Sequence, residues 1–246
     1  MDNLKILAPA KINLHLQITS KREDGYHNLI SLFQMVSLYD ELYIETIKSN
    51  EIRVVGDFDC YLEDNLIYKA ANSLEKNCNI KSGVFINCKK NIPSGAGLGG
   101  GSSDAAATLI GIRSLLKLDI SDEELKARAL KIGSDVPFFL GEATAVAGGR
   151  GEVLIPIKTR KDLLLLIIDT GIYSSTKEAF STFKFSNNRN ILTIEEITAA
   201  FLNKHPSDWP FSNSFTPYLY RKNSIFREII KLLDDNGSDY SSITGT

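Results

Sequence analysis

The chain has 246 residues, enough for one large domain or two modest ones, and its 43% apolar and 24% charged residues are those of an ordinary globular protein. Lys and Arg number 28 against 30 Asp and Glu, and the net charge of −2 gives no ground for a nucleic-acid or membrane surface. The longest aliphatic run, Leu163 to Ile168, is far too short to cross a bilayer, and Met1-Asp2-Asn3-Leu4-Lys5 leads into a strand instead of a signal peptide, so a cytoplasmic location is expected.

From residue 6 to 19, Ile12, Leu14, Leu16 and Ile18 alternate with Lys11, Asn13, His15 and Gln17, which predicts a strand whose polar face is either wet or lines a site. Lys21 to Gly25 make a polar turn, with Tyr26 and His27 just past it. Further strands are predicted over 38–47 and 52–55, then a helix over 65–75 capped by Asp64, then a strand from Val84 to Cys88. Cys60, Cys78 and Cys88 lack the close pairing of a zinc site and read as reduced structural thiols.

A helix is predicted over 105–118, capped by Ser102, Ser103 or Asp104, and a second over 122–132, opened by the capping box Ser121-Asp122-Glu123-Glu124 and closed by Gly133. In Ser134-Asp135-Val136-Pro137, the proline keeps Val136 out of the helical region and sets Asp135 on a stiffened turn. Residues 144–147 and 153–157 read as a strand pair joined at Gly148-Gly149-Arg150-Gly151. The charged link 158–162 suggests a boundary between a first domain, 1–157, and a second, 158–246.

The second domain opens on a buried-looking strand over 163–169. A short helix capped by Ser174 or Ser175 and a helix over 193–202 with a Thr-x-x-Glu box come next. An irregular loop around Trp209 leads to a helix capped by Asn223 and stopped at Asn236-Gly237, and Ser241 to Ile243 read as the start of a strand. Strands and helices mix without regular alternation, so the expected class is α+β.

The stretch with most chemical content is Pro93-Ser94-Gly95-Ala96-Gly97-Leu98-Gly99-Gly100-Gly101-Ser102-Ser103-Asp104, with five glycines in the seven positions from 95 to 101. Such a run cannot pack a core and loses much backbone entropy on ordering, and a bound anion repays that loss when backbone N–H groups converge on it. Its place between a strand and a helix N-terminus favours a phosphate nest over a linker. A P-loop would need Lys where Gly101 stands. Gly95-x-Gly97-x-x-Gly100 matches the dinucleotide fingerprint, but the second parallel strand with its acidic end is missing near Asp119.

Three segments together, Pro9-Ala10-Lys11-Ile12-Asn13-Leu14 with Gly25-Tyr26-His27, the glycine loop, and Gly133-Ser134-Asp135-Val136-Pro137-Phe138-Phe139, make the chain resemble the GHMP kinases along nearly its whole length. The first segment points to the branch that phosphorylates the 2-hydroxyl of 4-diphosphocytidyl-2-C-methyl-D-erythritol on the methylerythritol phosphate route to isoprenoids. The resemblance implies an N-terminal domain like domain 2 of ribosomal protein S5 and a ferredoxin-like C-terminal domain. ATP and a small-molecule substrate would meet in the cleft between them, and no obligatory protein partner is implied.

By the same resemblance the loop from Pro93 to Ser103 wraps the ATP phosphates, and Asn65, Leu66 and Lys90 lie near the adenine. Asp135 is the general base with Lys11 beside it. Asn13, Tyr26, His27, Thr176 and Phe180 surround the diphosphocytidyl group, with cytosine stacked between Tyr26 and Phe180 and its edge read by His27. Mg2+ is implied by the triphosphate, with Ser102 or Ser103 as candidate ligand. Family members carry a Thr-Gly-Thr-Gly segment followed by a strand and a helix, and the sequence stops inside it at Thr244-Gly245-Thr246. A shortened sequence is therefore expected. Competing readings are a homoserine or mevalonate kinase and a non-catalytic nucleotide-binding module.

Overall fold

Two long strands open the chain, and everything else is attached to them. In a computed structural model that describes residues 2–78, 83–172, 174–185 and 190–245, with only the backbone of 76–78, β1 spans Asn3–Lys21 and β2 spans His27–Ile47. Two compact units share them: the first takes residues through Lys11, Met35–Ser94 and Leu98–Glu142, the second Ile12–Gln34, Gly95–Gly97 and Ala143 onward.

In the first unit, β3 (Ile52–Gly56), α1 (Leu66–Cys78) and β4 (Gly83–Lys89) follow one another. β4 pairs antiparallel with β2, Leu42 opposite Cys88 and Ile44 opposite Ile86, and parallel with β3, Val54 opposite Ile86. The sheet face carrying Leu42, Ile44 and Ile86 is fully buried, as are Ile67 and Leu74 of α1. α2 (Gly100–Leu115) and α3 (Asp122–Ile132) complete this layer. The first buried turns of α2 are Ser103-Asp104-Ala105-Ala106-Ala107, small side chains that let the helix axis lie close to its neighbours. α3 has the expected Ser121 cap, whose hydroxyl accepts from Glu124 N–H, but Gly133 ends it in extended backbone.

In the second unit, β2 pairs antiparallel with β5 (Thr144–Gly148), Leu32 opposite Val146, and β5 with β6 (Val153–Pro156). α4 (Thr176–Thr182) is capped by Ser175 and α5 (Ile194–Asn203) by the full Thr193–Glu196 box. α6 (Thr216–Lys222) and α7 (Ile225–Asp235) follow. Leu16, Ile18, Ala179, Phe215 and Leu219 make one core, and Trp209 with Phe201 and Phe211 makes another, the indole N–H donating to Ala200 O at 3.1 Å.

Several expectations are corrected. α1 is capped by Asn65, whose Oδ1 accepts from Ile67 N–H at 2.9 Å, because Asp64 is used up ending a preceding 3-10 turn over Leu62–Asp64. Residues 163–169 form no strand: among the described residues no partner pairs with them, and Leu164 is fully exposed. An aliphatic run cannot make a strand without a ladder to join. Residues 241–243 also lie outside any strand. Cys60 is exposed and Cys88 buried, both as free thiols, and the side chain of Cys78 lies outside the described residues.

The polar face of β1 is not wet. In the second unit Asn13, His15 and Gln17 are all buried, and Gln17 donates to Asn190 O and accepts from Leu192 N–H. Burial holds the His15 imidazole well below its ordinary range, to about 4, while its Nδ1 accepts from Ser212 N–H at 3.1 Å. An unfolded chain takes up this proton near pH 6.5, the folded one only near 4, so the stability held above that window is lost as pH falls through it. Urea unfolding between pH 7 and 4 should lose about 3 kcal/mol that a His15→Asn variant does not lose; parallel pH profiles would remove His15 as the cause.

Candidate active site

The start of α2 is unlike that of α3, α4 and α5. Its first residue is Gly100, its N-cap is Gly99 with φ 69°, and no side chain caps it. Ser102, Ser103 and Asp104, expected as caps, lie inside the first turn because the glycines let the helix begin earlier, and Ser103 N–H already donates to Gly99 O. A helix start with no capping side chain leaves its leading N–H groups for an anion.

Gly99 has a second role. A Cβ there would lie 3.0 Å from Lys11 Cγ and 3.0 Å from Phe139 Cζ, so only glycine lets the Lys11 side chain pass beneath the loop. Lys11 N–H donates to Leu98 O at 2.9 Å, fixing strand to loop. Phe139 belongs to a 3-10 turn over Val136–Leu140 whose N-cap is Asp135; Val136, expected outside any helix, is its first residue, because a proline is accepted in the first turn of a helix, where its missing N–H goes unused. Burial pushes the Lys11 ammonium below its ordinary value, and the charge of Asp135 pulls the other way. Lys11, Asp135 and the loop thus meet in the first unit.

Leu66 and Lys90 are there too. Leu66 Cδ1 lies 3.7 Å from where a Cβ on Gly101 would stand, and the Lys90 ammonium donates to Asp104 Oδ2 at 2.6 Å and to Asp40. Asn65 spends its carboxamide oxygen on the α1 cap. Among the described residues Ser103 Oγ is buried with no hydrogen-bond partner, whereas Ser102 is partly exposed.

In the second unit Gly97, with φ 73°, meets a second glycine turn. A Cβ on Gly97 would come within 3.1 Å of Gly245 Cα, and one on Gly245, also φ 73°, within 2.9 Å of Gly97 Cα. Two carboxamides hold the partner turn. Asn13 N–H donates to Thr244 Oγ1 at 2.8 Å, Asn13 Oδ1 accepts from Gly245 N–H at 3.2 Å, and Asn213 Nδ2 donates to Ile243 O and Gly245 O. Asn13 Nδ2 is used on Ser31 Oγ.

The second unit also gathers the aromatic residues. His27 stacks on Phe180 of α4 with centroids 5.3 Å apart, lies against Phe185, and meets the edge of Phe183. Burial, then the charge of Lys21, lowers the His27 pKa, so at neutral pH the ring offers one donor and one acceptor. Tyr26 is exposed, with the Arg150 guanidinium 3.8 Å from its ring centroid. Thr176 is the exposed first residue of α4. Asp40, Arg150, Phe185 and Asn213 were not singled out from the sequence.

No group of three or more His, Cys, Asp and Glu side chains among the described residues could hold a metal ion.

Comparison with known proteins agrees with this layout. Residues 65–142 match the family described as GHMP kinases N terminal domain. A 4-diphosphocytidyl-2-C-methyl-D-erythritol kinase of Acinetobacter baumannii (strain ATCC 17978) is 37% identical over 244 residues, covering 99% of this chain and 84% of its own length. The chain belongs to that kinase family, within the GHMP kinases. A family member from Desulfotalea psychrophila is 45% identical over 195 residues, 76% of this chain and 65% of its own. The match thus spans just under two thirds of that relative. A crystal structure of 4-(cytidine 5'-diphospho)-2C-methyl-D-erythritol kinase superposes with a TM-score of 0.83 at 32% identity, covering 98% of this chain and 87% of the other. The α+β class with two units read from the sequence agrees with these relatives.

The hold of Asn13 on the second glycine turn can be measured directly. In Asn13→Ala, amide exchange at Thr244 and Gly245 should quicken by at least about tenfold, the loss of one to two buried hydrogen bonds, with α2 unaffected. Unchanged exchange would show that Asn213 holds the turn alone.

Proposed function

We propose that this protein transfers the γ-phosphoryl group of ATP to the 2-hydroxyl of 4-diphosphocytidyl-2-C-methyl-D-erythritol, the activity named for its relatives. The observation that carries the reading is Lys11 packed beneath Gly99 at the uncapped start of α2, within the field of the Asp135 carboxylate. An uncapped helix N-terminus and a left-handed glycine loop suit the phosphates of the donor. A Mg2+ ion carried with the triphosphate neutralises its charge, and Ser103 is the candidate protein contact.

The chain's own chemistry is then modest, as phosphoryl transfer requires. Asp135 accepts the proton of the acceptor hydroxyl as its oxygen bonds to phosphorus. The Lys11 ammonium, within the field of that carboxylate, offsets the charge developing on the oxygen. Asn65, Leu66 and Lys90 are assigned to the adenine side. Tyr26, His27, Thr176 and Phe180, with Asn13, are assigned to the diphosphocytidyl group: aromatic faces stack on a pyrimidine for about 1–3 kcal/mol per base, and a neutral His27 directs hydrogen bonds to its edge. We also propose the division into domains 1–157 and 158–246 and a cytoplasmic site of action.

Turnover and binding separate catalyst from scaffold. In Asp135→Asn, ATP should bind as in the parent while turnover of the cytidyl alcohol falls by at least about 10²-fold; equal turnover would sink Asp135 as base. Homoserine or mevalonate consumed in place of the cytidyl alcohol would overturn the acceptor. Phe180→Leu should raise the acceptor KM several-fold with the ATP KM unchanged.

A further inference from the structure

A single ammonium in the first unit joins the two ends of the glycine loop. Lys90, just past β4, donates to Asp40 and, at 2.6 Å, to Asp104 Oδ2 inside the first turn of α2. Asp40 is fully buried on β2, and its other oxygen accepts from Asn91 N–H at 2.6 Å and Ile92 N–H at 2.8 Å, the backbone that leads into the loop. Asn91 Nδ2 adds a bond to Tyr39 O. The two segments touch as well: a Cβ on Gly100 would lie 3.0 Å from Ile92 Cγ2 and 3.4 Å from Asp40 Oδ2.

Two carboxylates and one ammonium are an expensive set to bury without a purpose. Each of the three contacts the loop's base, and among the described residues Asp104 Oδ1 has no hydrogen-bond partner. Burial, only partly opposed by the Lys90 charge and its hydrogen bond, pushes the Asp104 carboxyl up to about 7. Lys90 is raised despite its burial, by Asp104 first and then Asp40.

We propose that Asp40 is a positioning residue for the nucleotide: through Lys90 it draws residues 90–92 and the first turn of α2 together and so sets the spacing of the N–H groups that receive the phosphates. This rests on the reading that the loop binds ATP. It makes Lys90, on the adenine side of the site, the middle of a clasp between Asp40 and Asp104.

The test is calorimetric binding of ATP, with cytidine 5'-diphosphate as the acceptor-side probe, to the parent, Asp40→Asn, Lys90→Met and the double variant. If the parent itself fails to bind ATP, the reading of the loop is wrong and the clasp falls with it. Given parental binding, each single variant should weaken ATP by roughly tenfold or more, the usual size for a supporting residue, with the cytidine probe within about twofold. The double variant should be no worse than the poorer single, because both remove one linkage. If Lys90→Met weakens ATP but Asp40→Asn does not, Lys90 acts on the nucleotide directly and the proposal is overturned. A lowered melting temperature with ATP affinity unchanged overturns it too. Should Asp40→Asn not fold, Asp104→Asn carries the same comparison from the helix end, with the same outcomes.

Discussion

A backbone that turns its N–H groups outward to an anion has no side chains of its own with which to hold that shape, so the loop from Gly95 to Gly101 depends on what its flanks supply. In the first unit Lys11 fills the space under Gly99, and its own N–H ties β1 to Leu98. In the second, Gly97 rests on the backbone of Gly245. Both contacts exist because a Cβ is missing. The glycines are thus needed twice, for left-handed backbone and for close approach, and a single alanine would violate both conditions at Gly97 or Gly99.

Much of this was legible in the sequence, and what was not has a physical reason. Local rules worked where the chain answers to its neighbours: the Ser121 and Thr193 caps and the β5–β6 hairpin all stand. They failed where a longer-range partner decides. The run at 163–169 has strand composition but no ladder, and Ser102 to Asp104 could cap a helix but lie inside one. The roles expected of Lys11, Asp135 and the loop come from the family resemblance, and the packing of Lys11 under Gly99 is added by the structure. Asp40 left a trace that was passed over. It shares the alternation of Val36, Leu42 and Ile44, the buried parity of β2, and a carboxylate on an apolar face asks for a buried cation.

The polar side of β1 makes the same point in the other direction. Alternation alone leaves open whether Lys11, Asn13, His15 and Gln17 face solvent or a site. All four are buried, and such a row is tolerated where its polar groups find specific partners, although among the described residues His15 Nε2 has none. Asn13 has Ser31 and Gly245, Gln17 has Asn190 and Leu192, and His15 has Ser212. A strand of this kind fixes its register more sharply than an apolar one, since a slip by two residues would preserve the hydrophobic face yet strand every amide.

The pairing of Asn13 with Gly245 also bears on time. The two residues stand 232 positions apart. At a synthesis rate of about 5–20 residues per second, the Asn13 carboxamide emerges roughly 10–50 s before the glycine that satisfies it. The strand that carries Lys11 is therefore born early and waits for Gly245. Through that interval Lys11 is already made while the backbone that rests against Gly97 is not.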